Sequence, residues 1–304
     1  MSGAPDILCL GEPLVEFVRQ PDGRSYRRGF GGDTSNAAVA AARQGASVGY
    51  LTALGADRFG DAILYLWSEE GVDASAVKRD AEAPTGIYFV DPDPAERHFT
   101  YYRAGSAASR FGPGDLAAEY VAGAKTLHLS GITLAVSPTL RATAFAAMEA
   151  AKAAGARISL DTNLRLALWD LDTARETIRR AMALADVAVT SVDDNAHLLG
   201  ESDPDRIADG YLAMGPTTVI VTMGGEGCRV AADGERRTLA PAKARPVDST
   251  GAGDSFAGAF LAWSEELGDP FEAARRAAIV AAGTVSGYGA IEPIPRREAV
   301  LAAL

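Results

Sequence analysis

The sequence predicts an α/β fold: a doubly wound, mostly parallel sheet with helices on both faces, plus a small β-sheet lid. Three observations carry this expectation. Short apolar runs alternate with helical stretches from about residue 123 onward, and two β-rich pairs in the N-terminal third each flank a Pro-Asp turn. The chain also has 304 residues, 48% hydrophobic and 23% charged, a composition that buries a sizeable core and excludes a disordered or fibrous chain. Strand, helix, strand in this rhythm implies right-handed crossovers and a sheet wound on both sides. We read residues 1–304 as one domain, with lid strands at about 14–28 and 86–103.

The first pair, Val15 to Arg19 and Arg24 to Arg28, brackets Pro21-Asp22-Gly23; the second, Gly86 to Asp91 and Arg97 to Arg103, brackets Pro92-Asp93-Pro94. Each reads as an antiparallel hairpin. Inserted between βα units, the two make a sheet standing off the main body. Thr126 to Leu129, Arg157 to Leu160, Val187 to Thr190 and Thr217 to Thr222 are short and apolar or β-branched, as buried parallel strands are. Between the first two lies a helix with Ser137 as N-cap, Pro138 at its first position, Leu140, Ala144, Met148 and Ala151 at helical spacing, and Gly155 at its end. A third hairpin turns at Asp233-Gly234. Phe256, Phe260 and Trp263 share one face of a helix that begins at about Gly253.

Lys and Arg total 29 against 40 Asp and Glu, a net charge of −11. No basic cluster breaks that pattern, so no nucleic-acid partner is expected, and any anion must be gripped locally. Cys9 and Cys228, with three histidines, make no metal-ligand spacing and fit a reducing cytoplasm. The N-terminal Met-Ser-Gly-Ala-Pro-Asp does not read as a signal peptide. The longest uncharged run, Gly210 to Gly225, falls short of a membrane span, so no membrane partner is expected.

The strongest local signal is Asp248-Ser249-Thr250-Gly251-Ala252-Gly253-Asp254, leading into the helix that carries Phe256. Small residues at a helix N-terminus bind anions, because free backbone N–H groups and the positive end of the macrodipole point at whatever sits there. Asp254 falls in the first turn, facing the same place. A carboxylate beside an anion hole is unfavourable unless a proton must be removed there, which points to a general base next to a phosphoryl group. A β-branched residue at Gly253 is expected to obstruct the phosphate and to oppose a positive φ. The chain contains neither G-x-x-x-x-G-K-[ST] nor G-x-G-x-x-G, so neither a Walker loop nor a dinucleotide fingerprint is present.

These residues resemble a family. D-S-T-G-A-G-D is similar to the C-terminal signature of the ribokinase-like carbohydrate kinases, the PfkB family. Gly31-Gly32-Asp33-Thr34-Ser35-Asn36 stands where their N-terminal glycine motif stands, and Gly55-Ala56-Asp57-Arg58-Phe59-Gly60 adds a third match. The resemblance runs from Ile7 to about Ile291. It implies a ribokinase-like core, a β lid, ATP with Mg²⁺, and phosphate transfer to a sugar-type hydroxyl. Asp254 would then be the base, with Gly251, Ala252 and Gly253 as the anion hole.

Finer marks are similar to the branch of that family acting on the terminal hydroxyl of 2-keto-3-deoxygluconate. They are the G-G-D-T-x-N form, Tyr101-Tyr102-Arg103 followed by Gly105-Ser106-Ala107-Ala108-Ser109, and Asp161-Thr162-Asn163-Leu164-Arg165 with Leu168-Trp169. The resemblance implies substrate contacts from Gly32, Asn36, Tyr88, Tyr101, Tyr102, Arg103, Arg165 and Asp254. A sugar acid also needs a cation, and a guanidinium matches a carboxylate at two points. Arg103 is expected to close a lid strand and Arg165 a core strand.

For the nucleotide, Thr222-Met223-Gly224-Gly225-Glu226-Gly227 resembles the family's phosphate and ribose loop, with Asn163, Leu164 and Arg165 approaching the phosphates. The family's N-x-x-E motif is replaced by Ser191-Val192-Asp193-Asp194, which leaves Asp194 as the candidate Mg²⁺ ligand through water. Ala290, Ile291 and Glu292 occupy a stretch where some relatives add a polar substrate contact. An exposed lid sheet favours a homo-oligomer. The alternatives are a fructokinase, ribokinase or nucleoside kinase of the same family, or a non-catalytic sugar-binding regulator, against which the intact Asp254 argues.

Overall fold

Leu8 and Leu10 face one side of the central sheet and Ile7 and Cys9 the other, all of them buried. The computed structural model, which describes residues 4–92 and 97–304, repeats this alternation strand by strand. Leu127, Leu129, Ile158, Leu160, Val219 and Val221 join the first face, and Val48, Tyr50, Val187, Val189 and Ile220 the second. Two buried faces require helices on both. Pro138–Ala153 and Leu171–Met182 cover one, Asp33–Arg43, Ala252–Leu267 and Pro270–Thr284 the other.

The sheet has nine strands in the order Glu235–Leu239, Cys228–Ala232, Thr218–Thr222, Val187–Ser191, Arg157–Asp161, Thr126–Ser130, Ile7–Leu10, Val48–Leu51, Val72–Asp73. From Thr218–Thr222 to Val72–Asp73 every pairing is parallel; the two at the other edge are antiparallel. The expected strands from residue 126 onward are all present. Three members come from the N-terminal third, where the lid segments interrupt the rhythm and hide it.

The lid is a separate four-stranded sheet, Tyr26–Gly31, Leu14–Arg19, Ile87–Pro92, Arg97–Tyr102. Both expected hairpins are antiparallel, and they join through the parallel pairing of Leu14–Arg19 with Ile87–Pro92. Asp93 and Pro94 of the expected second turn lie outside the described residues, as do Met1, Ser2 and Gly3. The Gly55–Gly60 motif anchors this sheet. Asp57 Oδ1 caps the helix Arg58–Glu70 by accepting from Phe59 N (3.0 Å) and Gly60 N (2.8 Å), while Oδ2 accepts from Thr85 N (2.8 Å) at the foot of a lid strand.

Local signals hold elsewhere. Ser137 Oγ accepts from Leu140 N at 3.0 Å ahead of Pro138, and Gly155 follows the helix with φ +79°. Asp233 and Gly234 have φ +53° and +77°, the two left-handed residues a tight hairpin turn requires.

Candidate active site

The carboxyl ends of the parallel strands, the two glycine motifs and the lid enclose a cleft of about 700 Å³. This is where an open α/β sheet binds ligands. Val189, Thr190 and Ser191 form its floor with Asp161 and Thr222. Gly32, Asp33 and Asn36 come from one side, Ser249 to Asp254 from another, and Tyr88, Phe99, Tyr101 and Arg103 from the lid.

Asp254 sits in the first turn of the helix Ala252–Leu267. That helix packs closely against Asp33–Arg43 because Gly258 has no side chain; a Cβ there would meet the Ala37 backbone. The close approach brings Asn36 to Asp254, and Asn36 Nδ2 donates to Asp254 Oδ2 at 2.8 Å. Asn163 Nδ2 donates to Asp254 Oδ1 at 3.2 Å. Burial, reinforced by the charge of Asp33, pushes the Asp254 carboxyl up to about 6, against the opposing pull of Asn36, Arg165 and Asn163.

Gly251 carries the left-handed backbone that opens the loop, with φ +75°, and a Cβ there would stand 2.8 Å from Ala290 O. The expectation of a positive φ at Gly253 is therefore corrected. Gly253 lies within the first helical turn, where φ is negative, and a Cβ on it meets open space. No side chain caps this helix, and its first-turn residues Ala252, Gly253 and Asp254 line the cleft. Ala252 N also makes a long bond to Ser249 O, at 3.3 Å.

Arg103 and Arg165 both line the cleft. Arg103 follows the last lid strand and forms an ion pair with Glu12, which is fully buried and also accepts from Ser106 Oγ at 2.8 Å. Arg103 Nε has no hydrogen-bond partner among the described residues. Arg165 does not close a core strand: that strand ends at Asp161, and Arg165 belongs to the loop beyond it, with Nη1 donating to Leu164 O at 2.8 Å. Tyr88 stacks on Tyr101, and its hydroxyl donates to Glu16 Oε2 at 2.6 Å.

Tyr102 must be withdrawn from the substrate set. Successive strand residues face opposite sides, and Tyr102 packs edge-on against Phe89 on the outer face of the lid, 64% exposed.

On the nucleotide side only Thr222 of the stretch Thr222 to Gly227 lines the cleft; Met223 to Gly227 form a tight turn into the next strand, closed by Met223 N to Gly227 O at 2.8 Å. Leu164 turns its N–H onto Asp194 Oδ2 at 3.1 Å, where Thr162 Oγ1 also donates at 2.7 Å. Among the described residues no group of three or more His, Cys, Asp or Glu could hold a metal ion.

A buried carboxylate at a helix N-terminus, in a cleft that a β lid also lines, is consistent with the family resemblance. The family model for pfkB family carbohydrate kinases matches residues 4–297. The chain belongs to the pfkB family. This pfkB-family chain is 36% identical over 299 residues to the 2-dehydro-3-deoxygluconokinase of Thermoproteus tenax, covering 95% of this chain and 91% of the relative. It is also 33% identical over 310 residues to the probable fructokinase-4 of Arabidopsis thaliana, with coverages of 97% and 95%. A putative ribokinase II from E. coli, solved in complex with ATP and Mg²⁺, superposes with a TM-score of 0.90 at 25% identity over 98% of each chain.

Three cleft carboxylates escaped the sequence reading of this pfkB-family chain. Glu12, Asp33 and Asp161 all line the cleft and are all buried. Burial raises each of their carboxyl groups above the usual range; for Glu12 the Arg103 guanidinium opposes the rise, and for Asp161 the charges of Asp254, Asp194 and Asp33 add to it. Asp33 and Asp161 stand inside motifs already singled out, so acids embedded in glycine-rich and strand-end motifs were the available signal. Glu12 follows Gly11 after the first strand and carried none.

Proposed function

We propose that this protein is an ATP-dependent sugar-acid kinase that phosphorylates the terminal hydroxyl of 2-keto-3-deoxy-D-gluconate, giving 2-keto-3-deoxy-6-phosphogluconate. One observation carries the reading: two guanidinium groups, Arg103 and Arg165, line the same cleft as the buried carboxylate Asp254 and its glycine loop. The name of the Thermoproteus tenax relative supports it, 2-dehydro-3-deoxygluconate being the same acid.

Asp254 takes the proton of the attacking hydroxyl; a carboxyl poised near 6 is ionised at neutral pH and still basic enough to accept it. The N–H groups of Gly251, Ala252 and Gly253 face the charge on the transferring phosphoryl group. Gly32, Asn36, Tyr88, Tyr101 and Arg103 hold the sugar acid, and Arg165 reaches both it and the phosphates. Asn163, Leu164, Thr222 and the turn through Met223, Gly224, Gly225, Glu226 and Gly227 border the nucleotide. The donor set fits magnesium: it prefers phosphate oxygens and water with one or two carboxylates, and Asp194, hydrogen-bonded through Oδ2, would offer Oδ1. When bound, the ion neutralises charge on the phosphate oxygens. The lid excludes water that would otherwise take the phosphoryl group.

A neutral-sugar kinase is the second reading, and the Arg103–Glu12 ion pair favours it, because a guanidinium already paired has less charge to give a carboxylate. A coupled assay of ATP consumption over sugar acids, hexoses, pentoses and nucleosides separates the two. Turnover confined to 2-keto-3-deoxy acids supports the first; turnover confined to fructose or ribose replaces it.

The family match over residues 4–297 supports one kinase domain with its lid. Exposed Tyr26 and Tyr102 on the outer face of the lid support pairing of copies there, which sedimentation would test. Two free, buried cysteines support a cytoplasmic setting, and no helix among the described residues is long and apolar enough to cross a membrane.

A further inference from the structure

Asn163 and Asp233 are the two non-glycine residues of the described chain with positive φ. Asp233 sits in a hairpin turn that demands it. Asn163, at φ +30°, stands two residues beyond the strand Arg157–Asp161, in a conformation that side chains adopt at a cost and that asparagine tolerates best. Backbone strain of this kind persists where surrounding contacts over-determine it. Here Asp161 Oδ1 accepts from Asn163 N at 3.2 Å, and the side chain is buried.

That conformation aims one amide at two acids. Asn163 Nδ2 lies 3.2 Å from Asp254 Oδ1 and 3.4 Å from Asp33 Oδ2. The two carboxylates come from different helices and share this donor. Asp254 has a second amide donor, Asn36, on its other oxygen at 2.8 Å. Asp33 has donors of its own in the Ser130 hydroxyl and the Thr34 N–H. Two acids side by side do not both ionise cheaply, and donors favour the ionised form of the acid they contact. The two amides on Asp254, from Asn36 and Asn163, therefore favour its ionised form beside a neighbouring acid.

We propose that Asn163 is a positioning residue for the base: its side-chain amide, with that of Asn36, fixes the Asp254 carboxylate and favours its ionised form. This rests on Asp254 being the base. It assigns Asn163 a role other than phosphate contact. The groups facing Asp254 are Asp33 and Asn36 from the helix Asp33–Arg43, Asn163 and Arg165 from the loop after Asp161, Asp161 itself, and Tyr88 from the lid. Those facing Asp33 are Ser130, Arg103, Arg165 and Asn163, with Glu12, Cys9, Tyr50 and Tyr101 also within its field.

The test is the pH profile of kcat for Asn163→Gly, which accepts the left-handed backbone but removes the amide, and for Asn163→Asp, which keeps the shape but adds a third acid. Both are assayed with full-length protein and whichever acceptor the panel selects, so failure of the sugar-acid reading leaves this test standing. If Asp254→Asn is as active as the parent, the base reading itself fails, a separate result. With Asn163→Gly the acid limb should move up by about one pH unit, and kcat at pH 6 should fall roughly fivefold. Asn163→Asp should move the limb further. An unmoved acid limb in both variants, whether or not KM for ATP rises, overturns the proposal. Should Asn163→Gly fail to fold, the limb of Asn163→Asp decides alone.

Discussion

Asn36 Nδ2 donates to Asp254 Oδ2 at 2.8 Å, joining two glycine motifs that lie 218 residues apart in sequence. The bond exists because Gly258 lets two helices approach closely, so the Asp254 carboxylate is held by the same packing that builds the core. The cleft and the fold are thus linked at one contact, and the first prediction acts on it.

Asp254→Asn should lower kcat by roughly 10²-fold to 10⁴-fold, the range for losing a general base, with KM for ATP little changed. The substitution fits sterically, since Asn36 Oδ1 is unpartnered among the described residues and its amide can turn to meet the new donor. Turnover near that of the parent would remove Asp254 from its role.

The pH dependence follows from the Asp254 carboxyl at about 6. The active form is ionised, so kcat should fall as pH drops through that value. Stability runs the other way. A carboxyl raised from 3.8 to about 6 on folding binds its proton more tightly in the native state. Its stabilising contribution is complete below about pH 4 and is lost as pH rises through 6. Thermal melts of Asp254→Asn against the parent should therefore show the variant gaining between pH 4 and 7. A constant difference over that range would contradict the assignment.

Gly251→Val should abolish activity and lower Tm, because φ +75° is unfavourable for valine and its Cβ meets Ala290 O. Gly253→Ala should leave Tm unchanged or higher, as a Cβ there meets nothing and alanine is the better helix former. Melting curves of the two variants check both statements.

Glu12→Gln should release the guanidinium of Arg103 and lower KM for the sugar acid several-fold, since the Glu12 carboxylate competes with that of the substrate. Arg103→Ala should raise that KM by about 10-fold to 150-fold, the range for charge-assisted hydrogen bonds. It should also lower Tm, because Glu12 is then buried without its cation. Steady-state kinetics and a melt separate these two effects.

Much of this was legible in the chain before folding. Ser137, Pro138 and Gly155 mark a helix by chemistry local to it, and Asp248 to Asp254 marks the start of another by the same kind of signal. Pairings across the sheet were not legible. Tyr101 and Tyr102 are equivalent in composition, and only the lid register decides that the first faces the cleft. Glu12, Asp33, Asp161 and Asp254 are spread along most of the chain, and topology alone makes them neighbours. The positive φ at Asn163 likewise arises from tertiary contacts that no local pattern encodes.

The most direct measurement compares kcat/KM of the parent protein for 2-keto-3-deoxygluconate and for fructose, then repeats both with Arg103→Ala. The account predicts a strong preference for the acid that collapses in the variant, with fructose affected far less. Equal values for acid and neutral sugar in the parent, or an equal loss for both in Arg103→Ala, would contradict it.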